Sequence, residues 1–252
     1  MNQMPSQTLE IDLPTRYGRV QGKLAVPPRP MRLAELAFNF LSMDERLISM
    51  AVAADAKEGN KVSCAKGCSA CCNQIVPLSP AEAFMLFDMV RSFPPERRAH
   101  VLERFTKVRT RLETEGFGER YQAPAANMDE MAEMGNSYQK LNLPCPFLEE
   151  DACSIHPNRP TVCREFLATT PAARCDDPSV HEVRAVPLAV SLTECLSKLS
   201  AMVIGGEPQV IPLTLALDWA EANQELGRQQ YDAGSLMGAF VDLIAENLRE
   251  AG

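Results

Sequence analysis

The first twenty residues, MNQMPSQTLEIDLPTRYGRV, contain no basic start followed by an apolar core. A secretory signal needs both, so the sequence predicts a chain without one. Also missing is any apolar run of the roughly 18 to 20 residues that spans a bilayer. The longest candidate, 183–203, is broken by Arg184, Glu194 and Lys198. Basic residues are outnumbered by acidic ones, 25 against 33, for a formal charge of −8. Nucleic-acid binding rests on basic surface that neutralises phosphates, and this balance argues against it. No P-loop, G-x-G-x-x-G or Ser–His–Asp order occurs, which removes the commonest nucleotide and hydrolase signatures. These absences predict a cytoplasmic protein with neither nucleic acid nor membrane among its partners.

What remains is an ordinary globular composition, 46% apolar and 23% charged over 252 residues, with one unusual component: nine cysteines. In an oxidising compartment they would suggest disulfides. In a reducing one, metal binding or redox chemistry is the better account, and the odd count leaves at least one thiol unpaired.

Residues 8–13 and 19–26 alternate apolar and polar around Tyr17-Gly18, the pattern of a short β-hairpin or extended arm that occupies residues 1–30. Beyond the prolines at 27, 28 and 30 the periodicity becomes helical, and residues 31–252 read as a single helical domain. Leu36, Phe40, Met43, Leu47 and Met50 form one buried stripe. Ser79-Pro80-Ala81-Glu82 carries a capping box with proline at the first helical position. A third helix presents Val101, Phe105, Val108 and Leu112, and a weaker one covers about 126–140. Leu188, Leu192, Cys195, Leu199 and Met202 make a further stripe, followed by helices over 212–230 and 235–250. The segments 61–74 and 142–178 differ in kind. They are rich in Pro, Gly, Asn and Asp and read as loops. The fold class expected is therefore mainly α, with a cysteine-rich loop region that forms a metal site and a short N-terminal hairpin.

Four thiols, Cys64, Cys68, Cys71 and Cys72, fall within the nine residues CAKGCSACC. Thiolates are the preferred ligands of zinc and of iron–sulfur clusters, and short spacings let one loop present several to one site. Downstream come Cys145-Pro146-Phe147-Leu148, then Cys153-Ser154-Ile155-His156-Pro157-Asn158-Arg159-Pro160-Thr161-Val162-Cys163-Arg164, then Cys175. This order of elements closely resembles the YkgJ-type cysteine-cluster family of zinc- or iron-chelating proteins, over roughly residues 60–176. Its cysteines are also similar to those of the flagellin lysine methylases, which implies a group-transfer enzyme as one alternative.

The resemblance implies eight metal ligands: Cys64, Cys68, Cys71, Cys72, Cys145, Cys153, Cys163 and Cys175. They could make two four-ligand sites, or one cluster with spare thiols. The side chains of adjacent Cys71 and Cys72 are expected to diverge, which would let them serve different metals. Cys195 sits on a core stripe and reads as a small hydrophobe. Among nearby cations, Arg159 and Arg164 rank as groups that offset thiolate charge from behind the ligands, and Lys66 and Arg174 read as solvated. For His156, packing or a hydrogen bond is a better account than ligation, and Glu149-Glu150-Asp151 reads as an exposed turn.

Only one C-x2-C pair, Cys68 and Cys71, is present. The later gaps of seven, nine and eleven residues suit a cluster wrapped by separate loops at least as well as a zinc ribbon. Cys64-x3-Cys68-x2-Cys71 also has the spacing of radical S-adenosylmethionine enzymes, but Ala70 replaces their usual aromatic and no βα alternation is present. The function expected is that of a metal- or iron–sulfur-cluster-binding protein with a redox role. The alternative is a structural-zinc protein whose surface binds a protein partner.

Overall fold

Alternating apolar and polar residues make a two-stranded antiparallel ribbon of the N-terminal segment. In the computed structural model, β1 (Thr8–Thr15) pairs with β2 (Gly18–Ala25), from Thr8 opposite Ala25 to Thr15 opposite Gly18. The turn uses Gly18 at φ +128°, a conformation side chains rarely tolerate. Ile11, Leu13 and Val20 point inward and belong to the same buried cluster as the helices that follow. The structure describes residues 7–117, 128–175 and 182–250. Residues 1–6, 126–127 of the expected weak helix, and 176–178 of the second cysteine segment lie outside them.

The stripe from Leu36 to Met50 is carried by two helices, α1 (Leu33–Asn39) and α2 (Leu41–Lys57). The break falls at Phe40, with φ −99° and ψ 0°. Its buried ring meets Phe240 edge-on, with centroids 4.5 Å apart. Helix α3 (Pro80–Ser92) starts as its sequence requires. The Ser79 side chain accepts from the Glu82 N–H, and the Glu82 carboxylate accepts from the Ser79 N–H at 3.0 Å. Every residue from Pro80 to Leu86 is buried, the signature of a helix enclosed on all sides. Helix α4 (Pro95–Thr114) buries Val101, Phe105, Val108 and Leu112 and leaves its other faces to solvent.

After α5 (Met128–Gln139) the chain forms the short hairpin β4 (Leu148–Glu149) and β5 (Ala152–Cys153), having already contributed β3 (Pro77–Leu78). Helix α6 (Thr161–Glu165) is a little over one turn long. Helix α7 runs from Leu192 to Ile204 behind a Ser191 cap, so Leu188 precedes it, and Met202 is 64% exposed rather than core-facing. The single helix expected over 212–230 is divided. Strand β6 (Ile211–Pro212) pairs with β3, a 3-10 turn follows, and then come α8 (Ala216–Ala222) and α9 (Gln224–Arg228). Helix α10 (Ala233–Glu250) ends the described chain.

Helices and small two-stranded sheets make the fold mainly α. Helix α3 lies at its centre, against α1, α7 and α8, while α10 packs on α7 and β1. A smaller cluster joins Val108 and Leu112 of α4 to Met134 and Tyr138 of α5, with Leu143 and Val210. No described helix is long and apolar enough to cross a membrane.

Candidate metal centre

Backbone hydrogen bonds, rather than long elements, shape the cysteine segments. The Ser63 N–H donates to the Ala168 carbonyl at 2.8 Å. In return the Ala168 N–H donates to Cys64 Sγ at 3.3 Å, so Cys64 is held against a segment a hundred residues further on. Gly67, at φ +89°, turns the chain so that the Cys68 N–H reaches the Ala65 carbonyl at 3.0 Å. Residues Ala70–Asn73 form a 3-10 turn, with the Cys72 N–H on the Ser69 carbonyl at 2.8 Å. Cys71 and Cys72 follow one another on this turn, and Cys72 acts to raise the Cys71 thiol pKa.

The later cysteines are brought to this turn. The Cys145 N–H donates to the Cys72 carbonyl at 2.7 Å. The Leu148 N–H then returns to the Cys145 carbonyl, and Leu148 stands opposite Cys153 across the β4–β5 ladder. Glu150 (φ 48°) and Asp151 (φ 57°) form the two-residue turn of that hairpin and are exposed as expected, whereas Glu149, expected with them, lies in β4, half-buried and paired with Arg104. Left-handed backbone at both positions is what a tight hairpin with the natural strand twist requires. Cys163 enters from α6, whose first residue is pinned by Glu82. One Glu82 oxygen accepts from both the N–H and the hydroxyl of Thr161, at 2.8 and 2.7 Å. Glu82 therefore caps α3 and anchors the cysteine loop at once.

The two arginines divide their roles. Arg164 is buried and braces the loop. It donates to the carbonyl of Arg159 at 3.1 Å, to the carbonyl of Pro157, and to Glu45 of α2 at 2.8 Å. Arg159 acts on the thiols instead. Its charge acts to lower the thiol pKa of Cys64, Cys71 and Cys153, which come from two stretches of chain about eighty residues apart. Its Nε is buried with no hydrogen-bond partner. A buried guanidinium nitrogen in this state asks for an acceptor, and thiolates or cluster sulfides would supply one.

Burial outweighs that cation. It pushes Cys145 up to about 12 and raises Cys153 and Cys163, while Cys71 is raised first by Cys72 and then by burial. Without metal these thiols stay protonated at neutral pH. Metal binding would displace the protons, which couples loading to pH. Two buried carboxyls lie close by: Asp44, raised to about 7 by burial, and Glu165, raised to about 8 for the same reason. Residue spacing gave no signal of either.

Seven of the eight expected ligands interact with one another in pairs. Cys68 and Cys71 act on Cys64, Cys72 acts on Cys71, and each pair among Cys71, Cys145, Cys153 and Cys163 is linked in at least one direction. Cys175 is buried on a neighbouring turn, and Gln74 Nε2 donates to its carbonyl at 2.9 Å. None of the nine cysteines forms a disulfide. Cys195 is fully buried in the helical core, raised to about 12 by burial. Lys66, His156 and Arg174 are exposed. Among the described residues, no group of three or more His, Cys, Asp or Glu side chains is arranged, as it stands, to hold a metal ion. The thiols are gathered but not closed into a cage.

Residues 63–186 match the model of the CxxCxxCC family, described as "Putative zinc- or iron-chelating domain". No curated protein and no solved structure matches the chain.

Proposed function

Residues 63–186 belong to the CxxCxxCC family, and on that premise we propose that the protein chelates zinc or iron through its cysteines, with iron held as an iron–sulfur cluster with a redox role. The eight ligands are Cys64, Cys68, Cys71, Cys72, Cys145, Cys153, Cys163 and Cys175, with Arg159 and Arg164 behind them. One observation carries the reading. The Arg159 cation acts on Cys64 and Cys71 of one segment and on Cys153 of another more than seventy residues away, and its Nε is buried without a hydrogen-bond partner. A disulfide role would leave that cation unexplained, and a core role would not place an arginine among sulfurs.

The donor set fits soft metal chemistry. An iron–sulfur cluster bound there would supply one-electron transfer, and zinc would supply a fixed staple between loops. The chain's own residues do the rest. Arg164 fixes the loop backbone, Arg159 offsets thiolate charge, and Glu82 ties the loop to α3. The second reading, structural zinc with a protein partner on the surface, draws on the same thiols.

Anaerobic purification separates the two. The expected result is iron with acid-labile sulfide and absorbance at about 400 nm that dithionite bleaches. A colourless protein with stoichiometric zinc and no iron would replace the cluster with the staple. A protein that takes up neither metal would remove both.

A further inference from the structure

Away from the cysteines, a cleft of about 510 Å3 opens between α4 and α8. Buried Ile211 and Leu215 give it an apolar floor, and half-buried Trp219 adds an aromatic ring to its lining. Ligand sites commonly measure about 300–1,000 Å3 and join an apolar lining to a few polar groups. This cleft meets both conditions. The hollow beside Cys145, at about 160 Å3, falls short of that size.

Charge around the cleft is unbalanced. Arg109 of α4 reaches across to Asp218 of α8 at 2.6 Å, with both side chains open to solvent. That cation is already matched. Glu113 follows Arg109 by four residues, which places it one helical turn on, and it lines the same cleft. Among the described residues its carboxylate has no ion-pair partner. The neighbouring cations of α4 are taken, Lys107 by Glu103 at 2.7 Å and Arg111 by Glu115 at 2.8 Å. One arginine against two carboxylates leaves the lining with one negative charge in excess.

An ammonium group is held well by an aromatic face on one side and an unmatched carboxylate on the other. The first attracts it through the ring quadrupole, and the second accepts a charge-assisted hydrogen bond. An apolar floor suits the carbon body that carries such a group. We propose that this cleft binds a small organic cation, an ammonium on an apolar or aromatic body, with its charge between Glu113 and Trp219. The Arg109–Asp218 pair ties α4 to α8 across the site and keeps Arg109 from repelling the ligand. No cysteine lines the cleft, so the site goes beyond the chelating function and requires no metal.

Trp219 is the only tryptophan in the chain, and its fluorescence therefore reports on the cleft directly. The probes are phenethylammonium, the anion hydrocinnamate of nearly the same shape, and neutral phenethyl alcohol. Each is titrated into the full-length protein at neutral pH. Phenethylammonium should change the Trp219 emission saturably, with a dissociation constant at or below about 1 mM. It should bind about tenfold or more tightly than either control. Glu113→Gln, at an exposed position, should weaken it by about tenfold, whereas Glu103→Gln on the same helix should leave it unchanged. A control probe that binds as tightly as the ammonium would overturn the proposal. So would an undiminished affinity in Glu113→Gln, or no saturable change up to about 10 mM. The chelating function stands in each of these cases.

Discussion

Glu82 and Thr161, 79 residues apart in the chain, are joined by two hydrogen bonds to a single carboxylate oxygen. The other oxygen takes the N–H and hydroxyl of Ser79 at 3.0 and 2.8 Å. All four acceptor positions serve buried groups, so Glu82→Ala leaves several donors without partners. Loss of about 3 kcal/mol of folding stability is expected, since hydrogen bonds to charged groups contribute about 1.5–3 kcal/mol. Ser79→Ala should cost about 1 kcal/mol, the usual value of a lost cap. Urea denaturation of the two variants compares them. Equal losses would mean that the link to Thr161 contributes nothing.

Asp44 gives a pH dependence of unusual sign. Its Oδ2 is buried without a hydrogen-bond partner, and its pKa is raised from 3.8 to about 7. Between those values the folded state holds a proton that the unfolded state has released, so stability falls as pH rises through that window. Above pH 7 the penalty is complete. Asp44→Asn should therefore raise stability at pH 8 by ~1–2 kcal/mol and flatten the profile below pH 7. Glu165, raised to about 8 by burial, keeps part of the slope in the variant. Thermal unfolding from pH 4 to pH 8 reads the effect, and an unchanged slope in Asp44→Asn would refute it.

Gly227 is required by its neighbour. A Cβ there would stand 2.7 and 2.8 Å from atoms of the Phe84 ring, which packs on Trp219 with centroids 5.1 Å apart. Helix propensity alone favours Ala over Gly by at most about 1 kcal/mol. Overpacking costs about 1–3 kcal/mol and should win. Gly227→Ala is thus expected to lower the unfolding midpoint, and a raised midpoint would show that the ring yields freely.

Cys195→Ala separates core from site. It removes one buried sulfur and should cost ~1 kcal/mol. Metal content should match that of the wild type when both are assayed by atomic emission. A fall in metal content would place Cys195 among the ligands.

The sequence carried those features that depend on near neighbours. The Ser79 capping box, the Val101–Leu112 face and the alternation in β1 and β2 could all be read from spacing. Features that depend on distant partners could not. Glu82 looked like a cap because Ser79 is three residues away, and nothing nearby announced Thr161. Phe40, where the helix breaks, packs edge-on against Phe240, two hundred residues on. Arg159 and Arg164 looked alike in sequence. Their roles separate only through Glu45 and the carbonyls that Arg164 reaches.

Helix α3 lies inside the segment that carries the family's cysteines, yet its neighbours α1, α7 and α8 lie outside it. The Thr161 hydroxyl likewise reaches the Thr193 hydroxyl at 2.6 Å, beyond residue 186. The segment that matches the family model thus depends for its packing on residues outside it. Expressed alone, residues 63–186 would present the bare faces of α3 to water and should aggregate or be digested. Limited proteolysis of the whole chain should yield no stable fragment with those ends.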